Sequence, residues 1–341
     1  MHDRIAAMQS NGSRGGLWPA VAEVRPVDAP AHRGSWPRRL YDVFFSAQAG
    51  AQWQPIRIGT SVEDLYNSSQ YCVREGDRRP SMDGGSFICT SAMVLTPWKR
   101  DQLVKHILPQ AIAMHAERLS VRRTGTPLVV PQIMGGTCSY FTTLQEHSTH
   151  GVPNTDFMLY VSAAPTEDGD RAWTISCDVW PDGRPKIGAT NISPDIIEDT
   201  RHPVRTVLHE MLHALGFSVH VFTDRGMVGY GTYLNGAPVN MINSPAVLRY
   251  ARLHYGCPTL TGVMFENHGG RDVNNSHWHS SVAKEELMAA AFTGIEAYTA
   301  LTIAAMEDTG FYKGDYSKAE PMKWGRNIGC GNMSSAGSRP Q

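Results

Sequence analysis

No stretch of the sequence is long and apolar enough for a membrane-spanning helix, which needs about 18 to 20 consecutive apolar residues, and the mean hydropathy is −0.30. There is also no excess of charge of either sign, because 31 Lys and Arg residues and 32 Asp and Glu residues give a formal net charge of −1. A chain of this charge has no long-range attraction for nucleic acid or anionic lipid. These absences exclude a transmembrane protein and disfavour a nucleic-acid-binding one.

The sequence contains no Cys-x-x-Cys pair, the usual element of a thiolate zinc site or a redox motif. Its cysteines are even in number and widely spaced, which favours three disulfides and therefore an oxidising compartment. They are Cys72, Cys89, Cys138, Cys177, Cys257 and Cys330. The first residues form no apolar secretory segment, and the last ones form no hydrophobic anchor tail. We therefore expect the chain to be part of a longer precursor.

The composition, 41% hydrophobic and 18% charged over 341 residues, is that of a globular protein of about two domains. Residues 1–52 are rich in Gly, Pro, Ala and Arg and predict a flexible lead-in. Hydrophobic periodicity predicts an α+β protein. The predicted helices cover 97–122, 203–215 and 296–308, and the predicted strands 56–58, 157–163, 173–180 and 186–192. Residues 217–276 are Gly- and Asn-rich and weakly periodic, which predicts a loop-rich second half.

The strongest chemical signal is the run His209-Glu210-Met211-Leu212-His213. It falls inside a predicted helix, where residues four positions apart share one face, so both imidazoles can reach one metal ion. Glu210 lies beside them and can take a proton from a metal-bound water. Two helix histidines with ordinary hydrogen bonds are the alternative, which the preceding strands and the apolar flanks disfavour. The pattern predicts the helix of a zinc hydrolase.

A catalytic zinc needs a third protein ligand and one open position. The compact motif with a third histidine at position 219 fails, because Val219 stands there and His220 comes one residue late. The remaining candidates lie further downstream, and spacing alone does not choose among them. They are the glutamates Glu266, Glu285 and Glu286 and the histidines His254, His268, His277 and His279.

Around this helix the sequence resembles the leishmanolysin family, zinc endopeptidases known as surface proteases of protozoan parasites. The resemblance starts at residues 209–218, His-Glu-Met-Leu-His-Ala-Leu-Gly-Phe-Ser. In that family a long insertion separates the glycine from the third histidine, and a Met-turn follows. Here Ser276-His277-Trp278 places His277 64 positions after His213 (277 − 213), and Met288 comes 11 positions later (288 − 277). Further similar segments are 105–111, 154–157, 298–302, 310–312, 317–320 and 324–325, within a resemblance that covers about 55–333.

The resemblance implies roles for individual residues. His277 would join His209 and His213 as ligands of one Zn²⁺ per chain, and Met288 would be the Met-turn residue that packs below the ion without binding it. Glu210 would be the general base and then the proton donor to the leaving amine. His279 would be an exposed bystander, and so would His220.

The resemblance also implies an architecture. A zincin-like catalytic part, with a twisted mixed sheet and the active-site helix, would cover 53–216. A loop-rich central subdomain with the third histidine and the Met-turn would cover 217–333. Residues 1–52 would be a remnant of the pro-region, and 334–341 a short tail in place of the family's C-terminal domain. The implied disulfides are Cys72–Cys89, Cys138–Cys177 and Cys257–Cys330.

Partners and location follow from the same resemblance. We expect protein or peptide substrates, no nucleic acid, a monomer, and a membrane link only through a lipid anchor that this chain lacks. The expected location is the cell surface or the extracellular space, with a link to cell adhesion. Five N-x-Ser/Thr sequons are compatible with a secreted glycoprotein; they begin at Asn11, Asn67, Asn191, Asn274 and Asn332.

The predicted strand 186–192 precedes the active-site helix, the place where zincins usually have the edge strand that pairs with an extended substrate. Gly188 and Ala189 would let a peptide backbone approach closely. An ordinary sheet strand is an equally good interpretation of the same residues.

Three functional hypotheses follow. The first is a leishmanolysin-like zinc endopeptidase. The second is a zinc enzyme of another clan, with a glutamate as third ligand. The third is a truncated surface adhesin or decoy with weak or no catalysis, which the intact Glu210 disfavours because a binding module does not need a general base.

Overall fold

The computed structural model describes residues 52–82, 84–133, 135–166, 171–232, 238–266 and 276–331. Helices and strands are interspersed throughout these ranges, which confirms the α+β class. The zincin-like details and the division after residue 216 stay predictions. Outside the described residues lie the predicted tail, His268 and all of the predicted lead-in except Gln52.

The described residues form seven α-helices: α1 (Pro97–Gln102), α2 (Leu108–Arg118), α3 (Gln145–Thr149), α4 (Arg201–Ala214), α5 (Val219–Asp224), α6 (Pro245–Tyr255) and α7 (Ala300–Asp308). None of them combines the length and the apolar character needed to cross a bilayer. The strands in the same ranges are β1 (Trp53–Pro55), β2 (Ile58–Ser61), β3 (Arg78–Pro80), β4 (Ser86–Ile88), β5 (Leu119–Arg122), β6 (Phe157–Ser162), β7 (Ala172–Val179), β8 (Pro185–Ile192), β9 (Val228–Thr232), β10 (Pro238–Ile242), β11 (Val263–Met264) and β12 (Lys313–Gly314).

A four-stranded sheet with the order β2-β6-β8-β7 supports the helix that carries the histidine motif. Strands β2, β6 and β8 are parallel, and β7 runs antiparallel to β8. Every residue of β6 is buried, as expected for a strand covered on both faces. Helix α4 packs against β7, β8 and α2, so it is fixed inside the main hydrophobic core. The predicted strands 157–163, 173–180 and 186–192 are confirmed to within one residue at each end.

The interpretation of 186–192 as an edge strand is wrong, because β8 lies between β6 and β7. A Cβ on Gly188 would come within 2.7 Å of the Phe157 ring and 3.0 Å of the Ala214 Cβ. The missing side chain therefore makes room for α4 and for the neighbouring strand rather than for a substrate. Within the described sheet the exposed antiparallel edge belongs to β7.

The predicted helix 97–122 is wrong at its end and irregular in its middle. Leu119 and Val121 are buried while Arg122 is exposed, an alternation that suits a strand, and β5 pairs with β1 and β12. Between α1 and α2 the chain widens into a π turn, where Leu108 N–H bonds the Leu103 carbonyl. Pro109 follows at once and has no N–H for an ordinary helical bond.

The prediction that 217–276 is loop-rich is wrong for much of that stretch, which contains α5, α6 and β9 to β11. Helix α6 has Pro245 at its first position, where a missing N–H costs nothing. Its buried residues Val247, Ala251 and Tyr255 recur every four positions, and it ends at Gly256 with a left-handed φ of 64°. The strands in this stretch are short and joined by turns, so their hydrophobic periodicity was too weak to predict them.

The predicted helix 296–308 begins four residues late, at Ala300. Glu296 has a φ of +39°, which no right-handed helix contains. The Thr299 side chain accepts a hydrogen bond from Leu301 N–H and so caps the helix.

The three disulfide pairings implied by the resemblance are confirmed: Cys72–Cys89, Cys138–Cys177 and Cys257–Cys330. Among the sequons, Asn67 is exposed, whereas Asn191 is completely buried in β8 and accepts a hydrogen bond from Ser162. Asn191 is thus unavailable for glycosylation in the folded protein. Asn11, Asn274 and Asn332 lie outside the described residues.

Candidate metal centre

Helix α4 carries His209, Glu210 and His213 on a regular backbone. It contains no glycine, and its one proline, Pro203, lies in the first turn, where the backbone N–H groups have no helical partner. Most of its residues between Val204 and Leu212 are buried. The regular helix and the buried surroundings together fix the positions of the two histidines.

The end of α4 also prepares the site. Gly216 has a φ of +107°, which favours glycine, and it turns the chain back over the helix. Phe217 N–H then bonds the Leu212 carbonyl at 2.8 Å, and Gly216 N–H the His213 carbonyl at 3.0 Å, the two bonds of a Schellman motif. This turn places the Phe217 carbonyl oxygen 2.9 Å from His213 Nδ1.

Three imidazole nitrogens converge on one point. The Nε2 atoms of His209 and His277 are 3.0 Å apart, those of His209 and His213 3.1 Å, and those of His213 and His277 3.2 Å. His277 is buried, and the two helix histidines are half-buried. Three nitrogen lone pairs at this separation repel one another unless a cation lies between them.

The other nitrogen of each ring has an acceptor. His209 Nδ1 lies 2.7 Å from the Leu287 carbonyl oxygen and His213 Nδ1 2.9 Å from that of Phe217. Because a carbonyl only accepts, both Nδ1 atoms carry the proton and both Nε2 atoms keep a lone pair. His277 Nδ1 is 2.8 Å from the Ser276 hydroxyl oxygen, which can accept in the same way. Such contacts fix the tautomer and the orientation of metal-binding histidines.

The residues present fit a zinc ion. Zinc–nitrogen bonds of about 2.0–2.1 Å at tetrahedral angles separate the nitrogens by about 3.3 Å, close to the 3.0–3.2 Å observed here. His209, His213 and His277 are also the one group of three or more His, Cys, Asp or Glu residues in the described ranges whose ligand atoms could hold a metal. Three neutral nitrogens leave one tetrahedral position open, as in catalytic zinc sites.

His277 reaches the group from an irregular segment that lies beside the Met288 turn. Trp278 N–H donates to the Met288 carbonyl at 2.8 Å, and the buried Trp278 ring stacks on Phe265 with ring centroids 5.5 Å apart. Met288 itself is fully buried. These contacts hold the segment that carries His277 against the Met288 turn.

The other third-ligand candidates in the described residues do not join the three-histidine group, and each faces a backbone group or another side chain instead. Glu266 Oε1 is 3.6 Å from His279 Nε2, and Glu285 accepts from Lys323 N–H at 2.7 Å. Glu286 is buried below the site and accepts from Met288 N–H at 2.6 Å. His254 Nε2 faces the Trp324 carbonyl at 2.8 Å. His220 is exposed as predicted, whereas His279 is only 13% exposed through its pairing with Glu266.

Comparison with known proteins identifies the family of the chain. The sequence profile of the leishmanolysin peptidase family matches residues 32–337. The chain belongs to the leishmanolysin family. It is 41% identical over 288 residues to the leishmanolysin of Leishmania donovani, an alignment that covers 83% of this chain and 49% of that protein. It is 42% identical over 320 residues to the leishmanolysin of Leishmania chagasi, with 92% of this chain and 51% of that protein covered.

More distant members of the leishmanolysin family share a shorter segment. The leishmanolysin-like peptidase of Caenorhabditis elegans is 32% identical over 228 residues, which cover 53% of this chain and 34% of that protein. The chain spans about half the length of these two curated Leishmania leishmanolysins.

A cleft opens beside His209 and His277. Glu210 lines it together with His209 and His277, and the small residues 289–291 form part of its wall. Two of its other charged lining residues, Arg205 and Glu296, have polar partners. The Arg205 guanidinium makes a two-pronged pair with Glu320 at 2.6 and 2.8 Å, and Glu296 accepts three backbone N–H groups of residues 293–295. The cleft thus offers an uncharged wall of small side chains close to a buried carboxylate.

Sequence reasoning missed the three acceptors that orient the histidines. Gly216 was a usable signal for one of them, since a glycine after a helix predicts a chain reversal that brings the Phe217 carbonyl back to His213. No local signal pointed to the Leu287 carbonyl, because it comes from 78 residues beyond His209.

Proposed function

We propose that this chain is a zinc-dependent endopeptidase that hydrolyses peptide bonds of protein substrates, as the leishmanolysin resemblance implies. The observation that carries the proposal is the convergence of three Nε2 lone pairs 3.0–3.2 Å apart beside a cleft that Glu210 lines. Family membership supports it. Because the chain spans about half of the relatives' length, the activity of the whole protein belongs to the proposal.

In this proposal His209, His213 and His277 hold one zinc ion, and Met288 fills the space below them. When bound, zinc would supply Lewis-acid polarisation of the scissile carbonyl and lower the pKa of the attacking water. The Nδ1 contacts keep the three rings in the ligating tautomer.

Glu210 is the proposed general base and acid. Its carboxylate takes one proton from the attacking water as the oxygen bonds to the carbonyl carbon. The same proton then passes to the amide nitrogen as the carbon–nitrogen bond breaks, so that a carboxylic acid and an amine leave. Burial of Glu210 at the edge of the cleft keeps bulk water away from this transfer and strengthens its electrostatics.

An extended peptide is the substrate shape that the sheet favours. Strand β7 lies at the edge of its sheet and runs antiparallel to β8, so a substrate strand can add to it through backbone hydrogen bonds. The uncharged wall formed by residues 289–291 suits an apolar side chain next to the scissile bond. The zincin-like architecture, a cell-surface or secreted location and a monomeric state belong to the same proposal, and the three disulfides support the location. The link with cell adhesion stays a prediction.

The test is cleavage of casein by the purified, oxidatively refolded chain, beside Glu210→Gln and beside wild type treated with a zinc chelator. We expect Glu210→Gln to keep zinc, because the ligands are intact, and to lose about 10²–10⁴-fold in rate, the usual contribution of a general base. Chelation should abolish cleavage, and added zinc should restore it.

Glu117→Gln is the matched control, since Glu117 is an exposed carboxylate on α2 and should cleave like wild type. A folded, zinc-loaded wild type that is as inactive as Glu210→Gln would overturn the endopeptidase proposal and favour the adhesin or decoy hypothesis.

A further inference from the structure

Glu286 is a buried carboxylate that the proposed mechanism does not use. It is 1% exposed, and within the described ranges it has hydrogen-bond donors but no ion-pair partner. Met288 N–H donates to Oε2 at 2.6 Å, while Thr299 donates to Oε1 through its backbone N–H at 3.3 Å and its hydroxyl at 3.1 Å. Burying a carboxyl group without an ion-pair partner is costly. Burial raises the pKa of Glu286 to about 7, while the hydrogen bonds from Met288, Thr302 and Thr299 favour the charged form.

The residues next to Glu286 lead directly to the metal ligands. Leu287 carries the carbonyl oxygen that lies 2.7 Å from His209 Nδ1. Met288 carries the carbonyl that accepts Trp278 N–H at 2.8 Å, and Trp278 follows His277 in the chain. Met288 N–H and the Leu287 carbonyl belong to the same peptide unit, so the Glu286 carboxylate that binds this N–H also orients the carbonyl that faces His209.

A second path from Glu286 also ends at the histidine segment. The Thr302 hydroxyl hydrogen-bonds the Glu286 carboxylate and accepts Trp278 Nε1–H at 2.9 Å. Both groups are buried within the core. The Glu286 carboxylate therefore connects the turn that orients His209, the start of α7, and the residue after His277.

Only a carboxylate satisfies all these donors. Its two oxygens accept on both sides, whereas the side-chain amide of glutamine has one oxygen and must place its NH₂ group against a donor. Replacement by glutamine keeps the shape and leaves one buried N–H without an acceptor, which displaces part of the turn.

We propose that Glu286 is a positioning residue of the metal centre, which sets zinc affinity by holding the Leu287 carbonyl on His209 and Trp278 beside His277. This inference rests on the proposed zinc site. The alternative is a purely structural core residue, whose loss would lower stability without changing metal binding by the folded protein.

The experiment measures zinc affinity of the folded full chain by competition with a chelating dye, together with the visible absorption of the cobalt-substituted protein. We expect Glu286→Gln to bind zinc about 10- to 100-fold more weakly, the usual effect of losing a group that orients a ligand, and to alter the cobalt spectrum. Asp64→Asn is the matched control, because Asp64 is also buried and accepts from a backbone N–H and a hydroxyl, both of Thr142. It should bind zinc like wild type.

A second pair of variants decides the matter if Glu286→Gln does not fold. Thr302→Val removes the hydroxyl that joins Glu286 to Trp278, whereas Thr302→Ser keeps it. We expect weaker zinc binding in the first and wild-type binding in the second. Equal zinc affinity in these two, or in folded Glu286→Gln and wild type, would overturn the inference. A wild type that binds no zinc would instead overturn the proposed function itself.

Discussion

The candidate metal centre is built from two regions that hold their histidines by different means. His209 and His213 lie four residues apart on α4, a regular helix inside the main core. His277 and Met288 lie in turns, where isolated bridges join Trp278 to Ala289 and Glu286 to Ala297. On the helix the backbone itself sets the ligand spacing. In the turns, buried side-chain acceptors such as Glu286 and Glu296 hold the backbone in place.

The difference shows how the site combines a rigid half with a half that depends on a few groups. A change on the helix face must disturb a cooperative element with many packed neighbours, whereas one lost acceptor can displace a turn. The two halves meet where the Leu287 carbonyl contacts His209 Nδ1. The predictions below test how far each half depends on the other.

The largest expected effect is loss of zinc when either half loses a ligand. We expect His277→Ala and His213→Ala each to lose bound zinc and about 10³-fold or more in proteolysis, because two ligands hold a catalytic zinc poorly. Zinc stoichiometry of the folded variants is the measurement.

His279→Ala is the control, since His279 pairs with Glu266 and lies outside the three-histidine group. A His277→Ala variant that kept its zinc would contradict His277 as third ligand. If Glu266→Gln, Glu285→Gln or Glu286→Gln then lost zinc entirely, the glutamate-ligand hypothesis would replace the three-histidine site.

A second prediction concerns the support below the helix. His115 is fully buried on α2, with Nε2 3.1 Å from the Leu208 carbonyl and Nδ1 3.3 Å from the Tyr298 hydroxyl. Burial lowers the pKa of His115 from 6.5 to about 3, although the bond to Leu208 opposes the shift. The unfolded chain therefore takes up a proton between these values while the folded protein does not, so stability falls as the pH drops below 6.5. The loss amounts to about 2 kcal/mol near pH 5.

Urea unfolding of the metal-free protein at about pH 7.5 and about pH 5 measures this loss. We expect His115→Phe to be less stable than wild type at the higher pH but to lose about 2 kcal/mol less on acidification. His106→Gln replaces an exposed histidine nearby in sequence. This variant should lose as much stability on acidification as wild type. An unchanged pH dependence in His115→Phe would show that the helix does not rely on a neutral His115.

The same contrast explains how much the sequence could predict. Two of the proposed ligands and the proposed base could be predicted from the sequence, because a four-residue spacing on one helix is local information. Strands β6, β7 and β8 could be predicted because turn residues separate three apolar runs. The proposed third ligand was not derivable from spacing, and only the family resemblance singled out His277 among seven candidates.

Features that depend on distant pairing could not be predicted. Nothing in residues 186–192 shows that β7 pairs on the outer side of β8, so the sequence alone left an edge strand and an ordinary sheet strand as equally good interpretations. Residues 119–122 are as apolar as the helix before them, and only their pairing with β1 and β12 makes them a strand. Likewise Glu286 was a candidate metal ligand because the sequence shows a carboxylate at that position. The sequence does not show that this carboxylate is hydrogen-bonded to Met288 and Thr299.

The smallest expected effect comes from the wall of the cleft. Glu296 holds a left-handed backbone with a φ of +39°, and its Oε1 accepts from Thr293 and Gly294 N–H at 2.7 and 2.6 Å. The loop it organises includes Phe292, whose ring packs edge-on against that of His202 of α4, with the ring centroids 4.1 Å apart. We expect Glu296→Ala to lower stability by about 1–3 kcal/mol and to raise KM with little change in kcat, because the wall moves while the ligands stay.

Glu296→Gln retains an acceptor oxygen and should recover most of the wild-type KM. Thr96→Ala, which removes a capping acceptor at the distant helix α1, should cost about 1 kcal/mol and leave KM unchanged. Steady-state kinetics and zinc content separate the outcomes. A Glu296→Ala variant that lost zinc as well would show that the turn segment moves as one unit from His277 to Tyr298, and that its acceptors do not act independently. Retained zinc with a raised KM would instead divide that segment into a ligand-holding part around Glu286 and a substrate-contacting part around Glu296.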